Sequence, residues 1–174
     1  MLSLDLNRIR TAHERFEEVY PPDALHIEGG TFRLTSPVSF ETDVYKDKDQ
    51  FHLAGTVRAT IELACSRCLE PFEWPVDATF DLRYQPRALN QGEGEREIEE
   101  DDLSTAFYEN DEIDLGHLMR EQFYLSLPMK PLCREDCKGL CPTCGTNRNM
   151  APCGCATEWE DPRLAVLKTL KPRE

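Results

Sequence analysis

Hydrophobic and polar residues alternate over two long stretches of the chain. In "FHLAGTVRATIELA", Phe51, Leu53, Val57, Ala59, Ile61 and Leu63 fall on every second position, and in "FEWPVDATFDLRY", Phe72, Trp74, Val76, Ala78, Phe80, Leu82 and Tyr84 do the same. A period of two puts successive side chains on opposite faces of a strand, so each run predicts a half-buried β-strand. The short connection "CSRCLEP" makes the pair an antiparallel hairpin with Cys65 and Cys68 at its tip. Pro75 lies on the polar face and has no N–H to give a ladder, which points to an edge position or a bulge.

Elsewhere the pattern is less regular. Ile9, Ala12, Phe16 and Val19 stand at helical spacing, with Asn7 as an N-cap and Pro21-Pro22 as a stop, and predict an N-terminal helix. Phe32, Leu34, Val38, Phe40 and Val44 occupy even positions and predict strands interrupted near Pro37. Asp114 as N-cap, the stripe Leu115, Leu118, Met119, Phe123 and Leu127, and Pro128 after it predict a packed helix of about three turns. His117 falls between members of that stripe as an exposed helix residue, and His13 and His52 read as exposed helix and strand residues. A last helix is expected in "DPRLAVLKTLK", with Asp161 as N-cap, Pro162 at the first helical position and Leu164, Leu167 and Leu170 on one side.

The fold class expected is α+β: an antiparallel β-rich body with a docking helix and a small C-terminal zinc-binding module. Its divisions are residues 1–86, the body with the N-terminal helix and the CxxC hairpin; 87–113, an acidic linker; and 114–174, the helix, the cysteine-rich module and the C-terminal helix.

The net charge of −13 argues against nucleic-acid binding by bulk electrostatics, which needs basic groups to displace counterions. The acid is concentrated, however: eleven acidic residues and one basic residue, Arg96, lie between Glu93 and Asp114, which therefore carries −10 of the −13. Clustered like charge with Gly92 and Gly94 has the composition of a solvated linker, or of a segment that mimics RNA or docks a basic partner. No run approaches the roughly 18 apolar residues of a membrane span, and no secretory signal is visible, so a reducing cytoplasmic setting is expected. There, close cysteines bind metal or act in catalysis more often than they form disulfides.

Six of the eight cysteines crowd into "CREDCKGLCPTCGTNRNMAPCGC", residues 133–155. "CPTCG" has the form of a zinc knuckle, in which Gly145 allows the turn that aims backbone amides at sulfur, and "CGC" supplies two further thiolates. Cys141, Cys144, Cys153 and Cys155 are therefore expected to form one site. Cys133 and Cys137 remain, with Cys65 and Cys68, for a second zinc that clips the hairpin to the module. A single site from Cys133, Cys137, Cys141 and Cys144 fits the spacing almost as well, so one or two structural zinc ions are expected. Each four-thiolate zinc site would carry about −2. Lys130, Arg134, Lys138, Arg148, Arg163, Lys168, Lys171 and Arg173 surround and follow the cluster; they either screen those thiolates or contact phosphates.

Enzyme readings fare poorly. A redox "CSRC" would want a helix N-terminus, and here it lies between strands. A zinc deaminase would need His-x-Glu with Pro-Cys-x-x-Cys; "HIE" is present, but Leu140 rather than proline precedes Cys141. No phosphate-cradling glycine loop or nucleophile elbow occurs.

Taken together, "CSRCLEPF", the acidic stretch, "IDLGHLMREQFYLSLPMKPLC", "DCKGLCPTCGTNRN" and "DPRLAVLKTLK" resemble the YceD family of bacterial and plastid proteins, associated with accumulation of 23S ribosomal RNA. The resemblance spans roughly residues 50 to 170. It implies a non-enzymatic role in ribosome biogenesis with no catalytic residues, and large-subunit rRNA, a precursor ribosomal particle or a basic ribosomal protein as partners. Some members lack the full C-terminal cluster, which implies that zinc stabilises rather than acts. The different-class alternative is a zinc-stabilised protein-interaction adaptor without direct RNA contact.

Overall fold

The structure, a computed structural model, describes residues 2–87 and 104–155. Its body is a six-stranded sheet centred on the hairpin: β5 (Gln50–Ala64) and β6 (Pro71–Pro86) pair antiparallel from Phe51↔Tyr84 to Ala64↔Pro71. β4 (Val38–Asp47) lies on the other side of β5, and β2 (His13–Tyr20) is the edge beyond it. The two-residue β3 (Arg33–Leu34) takes the place of β4 beside the far end of β5. β7 (Thr105–Tyr108) joins β6 as the sheet's one parallel pair, through Arg83–Pro86 only. Over the rest of its length β6 has β5 alone as a partner among the described residues, which is why Pro75, paired with Thr60, costs no ladder bond there. A small second sheet pairs β1 (Ser3–Asp5) with β8 (Glu112–Asp114).

The inward rows of these strands make the core: Val38, Phe40 and Val44 from β4, Leu53, Val57 and Ile61 from β5, Val76, Ala78 and Phe80 from β6. Against them packs α1 (Leu115–Ser126), the only α-helix among the described residues, burying Leu115, Leu118, Met119 and Phe123. The helix begins where the stripe and its cap predict, with the Asp114 carboxylate accepting from His117 N at 2.8 Å. No helix among the described residues is long and apolar enough to cross a membrane.

Two expectations are overturned. Residues 13–20, read as part of an N-terminal helix, form edge strand β2, and the helical content nearby is the single turn Leu6–Arg8, capped by Asp5 rather than Asn7. The misreading has a physical cause: among the described residues β2 pairs with β4 alone, and its inward row is Glu14, Phe16, Glu18 and Tyr20, half of it acidic, so the period-two signal is lost. His13 therefore sits on the outer sheet face, stacked on Tyr45 at 4.6 Å and bonded to Asp43 at 2.8 Å, while His52 reaches Asp81 from the neighbouring strand. The acidic linker, drawn to residue 113, also ends sooner than its charge suggests, because Tyr108 and Ile113 are buried and nucleate β7 and β8. The densest acid, Glu93 to Asp102, lies outside the described residues, as do the expected last helix and its Arg163, Lys168, Lys171 and Arg173.

Candidate metal centres

The hairpin tip and the C-terminal module meet through backbone bonds. Ser66 N donates to Pro131 O at 2.8 Å and Leu140 N to Arg67 O at 3.0 Å. The Arg67 guanidinium returns the contact by donating to the carbonyls of Glu135 and Cys137 at 3.1 and 2.9 Å. Cys65 and Cys68 are thereby placed against Cys133 and Cys137, with Sγ–Sγ separations of 3.8 Å for Cys65–Cys137 and for Cys68–Cys133. All four sulfurs of this inner tetrad lie within 4.8 Å of one another. Cys141, Cys144, Cys153 and Cys155 form an outer tetrad under the same limit. Cys133 and Cys137 thus face the hairpin, and the alternative set of Cys133, Cys137, Cys141 and Cys144 is not the one the fold assembles.

Both CxxC segments use one turn. Leu69 N donates to Cys65 O and Gly145 N to Cys141 O, each at 2.9 Å, and the donor residue is left-handed in both, with φ of 62° and 73°. Glycine adopts that conformation freely, whereas Leu69 holds it at a cost of about 1–2 kcal/mol. The turn swings backbone amides toward the first sulfur, and this governs the charge of the site. Burial pushes the Cys65 thiol up, but the amides of Cys133, Cys68 and Arg67 bring it down to about 6. Burial also raises Cys137, and the Asn149 side chain and Gly139 amide outweigh it. The Glu70 amide draws Cys68 down, yet burial and the sulfurs of Cys65 and Cys137 leave it raised; burial drives Cys133 up to about 12. In the outer tetrad, the amides of Cys144 and Thr143 bring Cys141 down to about 6, and the Thr146 hydroxyl lowers Cys144. The sulfur of Cys141 raises Cys153, and that of Cys144 drives Cys155 up to about 12. Each tetrad alone thus lowers two of its thiols and raises the other two, and a dication is what would let all four ionise together.

The geometry fits such an ion. All eight cysteines are free, and sulfurs 3.8 Å apart are far from the roughly 2.05 Å of a disulfide. A tetrahedron of thiolates about 2.3 Å from zinc has edges of about 3.8 Å, which is the Cys65–Cys137 and Cys68–Cys133 spacing of the inner tetrad. Among the described residues the module has no apolar core of its own: the cluster at the tip is Cys65, Cys68 and Cys137, with Phe72, Leu132 and Cys133 around it.

Two residues that sequence reasoning passed over tie the loop between the outer ligands to the inner tetrad and the hairpin. Asn149 donates to Cys137 Sγ at 3.3 Å, and its Oδ1 accepts from the Arg134 guanidinium and from Lys138 N, both at 2.8 Å. Asn147 accepts from Asn149 N at 3.0 Å and donates to Glu70 at 3.4 Å. The only signal in the sequence was "NRN" between ligands, two amides able both to donate and to accept. Of the candidate basic residues, Lys138 and Arg148 line one open cavity of about 320 Å³ with Cys153, and Arg134 is joined to them through Asn149. Lys130 is exposed and has no part in that cavity.

Glycine substitutions grade the junction. A Cβ on Gly139, at φ 69°, would lie 2.9 Å from Arg67 O; on Gly145, at φ 73°, it would meet nothing; Gly154 has neither constraint. Replacement by alanine should therefore destabilise the module most at Gly139, by about 1 kcal/mol at Gly145 and negligibly at Gly154. Resistance of the three variants to chelator-induced opening checks the order, and equal resistance at Gly139 and Gly154 would contradict it.

Residues 53–171 match the family described as "Large ribosomal RNA subunit accumulation protein YceD". A maize protein named "Large ribosomal RNA subunit accumulation protein YCED homolog 1, chloroplastic" is 30% identical over 167 residues, 75% of this chain and 54% of the relative. Its Arabidopsis thaliana namesake is 29% identical over 157 residues, 78% of this chain and 49% of that one. An uncharacterised protein of Mycobacterium tuberculosis is 35% identical over 115 residues, covering 66% and 53% of the two chains. The chain thus spans about half the length of these relatives. No solved structure matches.

Proposed function

The chain belongs to the YceD family, described as large ribosomal RNA subunit accumulation proteins, and from that premise we propose that it is a non-enzymatic ribosome biogenesis factor. In this reading it works in the cytoplasm, supports accumulation of large-subunit rRNA and touches that RNA, or the precursor particle, through its cysteine-rich module. The α+β organisation with a zinc-binding module belongs to the same proposal. Zinc suits four thiolates, and a closed site of that kind leaves no open position for a reacting group, so the ion's contribution is structural.

The observation that carries the reading is the cation group on the module. Lys138 and Arg148 share one open cavity, and the Arg134 guanidinium is aimed by Asn149, all on a chain that is otherwise strongly acidic. Phosphate contacts need basic groups gathered on one rigid face. Here the inner tetrad and the Asn149 bridge supply the rigidity.

Lys138→Glu with Arg148→Glu tests the contact. Binding to large-subunit rRNA should weaken, and the slope of log affinity against log salt should fall by about 0.7–0.9 for each phosphate that the protein no longer neutralises. An unchanged slope sinks the RNA-contact reading. Crosslinking in cells distinguishes the remaining class: partners that survive nuclease while RNA reads stay at background would make the protein an adaptor acting through protein contacts, a basic ribosomal protein among them.

A further inference from the structure

The two tetrads share their chemistry but not their access to solvent. In the inner one, Cys65 is 0% exposed and Cys68 and Cys137 are each 3% exposed, packed with Phe72 and Leu132, and Cys133 alone is half-buried. In the outer one only Cys141 is buried; Cys153 and Cys155 are half-buried and Cys144 is exposed, its sulfur 3.2 Å from the Thr146 hydroxyl. The spans differ too. The inner tetrad joins residues 65–68 to 133–137 across the fold, whereas the outer closes only residues 141–155. Opening the outer tetrad frees one short loop; opening the inner one undoes the docking of the module.

We propose that the outer tetrad is a releasable, oxidisable metal site with Cys144 as its point of attack, and that the inner tetrad, with three of its four ligands buried, persists under the same treatment. The inference rests on the reading of both tetrads as zinc sites. A thiolate reacts with a peroxide only where the peroxide can reach sulfur, and burial denies that to Cys65, Cys68 and Cys137, leaving half-buried Cys133 as the inner tetrad's one approach, whereas Cys144 is exposed and Cys153 and Cys155 are half-buried. At Cys144 the sulfur attacks a peroxide oxygen: an S–O bond forms, the O–O bond breaks, and hydroxide leaves to be protonated to water. A second thiolate of the tetrad then attacks the sulfenic sulfur, forming S–S as S–O breaks and a second water departs. Two thiols are oxidised by one electron each, hydrogen peroxide is reduced to two waters, and the ion leaves as Zn²⁺ with two ligands gone. The loop so released is the one that carries Arg148 and Asn149, and Asn149 orients Arg134. Oxidation would thus disperse the cation group.

The test uses the full chain, purified without chelator and loaded with zinc, treated with hydrogen peroxide while released metal is followed by a chromogenic indicator. About one equivalent per chain should leave at least about tenfold faster than the second, with the first disulfides mapping within Cys141, Cys144, Cys153 and Cys155. Thiol reductant and zinc should restore it. Two equivalents leaving in one phase, or early disulfides that include Cys65, Cys68, Cys133 or Cys137, overturn the inference while sparing the two-zinc reading. Fewer than two equivalents before peroxide is added overturns that reading, and the inference with it.

Discussion

Gly55→Ala is expected to cost the fold about 3 kcal/mol or more, at the top of the usual range for overpacking. Gly55 is an inward position of β5, the strand flanked by both β4 and β6, and a Cβ there would lie 2.1 Å from the backbone oxygen of Glu41. It would also come within 2.8 Å of Phe80 Cζ and Thr42 Cα. The Phe80 ring lies over the glycine and stacks on Phe40 at 5.7 Å and 11°, so one added methyl presses on a backbone and on the centre of the core at once. A flexible side chain could yield, but a backbone carbonyl in the middle of a ladder cannot without parting the strands. Thr56→Ala, on the outer face one residue along, is the control and should change stability by no more than about 0.5 kcal/mol. Urea unfolding of the two variants measures both, and a Gly55→Ala midpoint close to wild type would mean that the strands separate more easily than this packing allows.

Gly55 also marks what the sequence made legible. The period-two run of β5 has a gap at that position between Leu53 and Val57, visible in the chain but without meaning until β4 and Phe80 are placed beside it. Where local pattern and local structure coincide, the reading held: the hairpin with its CxxC tip and α1 with its Asp114 cap are each specified by neighbours in sequence. β2 failed because an edge strand with Glu14 and Glu18 on its inward row has no hydrophobic alternation to read. β7 and β8 failed because their partners are distant, β7 joining β6 in parallel and β8 pairing with β1, and only single apolar residues such as Tyr108 and Ile113 betray them inside acid. The cysteines follow the same division. Their types and number announce metal chemistry, but the choice between groupings depends on the hairpin tip reaching residues 131–140, which no spacing encodes. Asn147 and Asn149 were hidden for a similar reason, since each matters only through what the fold brings to it.

Removing the inner site should separate the module from the sheet without unfolding the sheet. Cys65→Ser with Cys68→Ser deletes two of four ligands, and the apparent binding energy of a structural zinc, about 10–16 kcal/mol at neutral pH, is as large as the stability of a whole domain. The module has little to set against that loss. Over its described residues its backbone is a series of turns with one isolated bridge, Leu140↔Asn147, and its apolar cluster at the tip consists largely of the sulfurs themselves. The sheet, by contrast, keeps Phe40, Leu53, Ile61 and Phe123 fully buried in a core to which neither Cys65 nor Cys68 belongs. Zinc content should accordingly fall from about two equivalents to about one. The β-sheet circular dichroism should persist, and limited proteolysis should cut between residues 131 and 140 while β5, β6 and α1 stay protected. Because the hairpin tip also holds the module through Arg67 and Ser66, those hydrogen bonds are the competing explanation for docking. They are left intact by the double substitution, so a module that remained protected would assign the junction to hydrogen bonds, and one that opened would assign it to the metal.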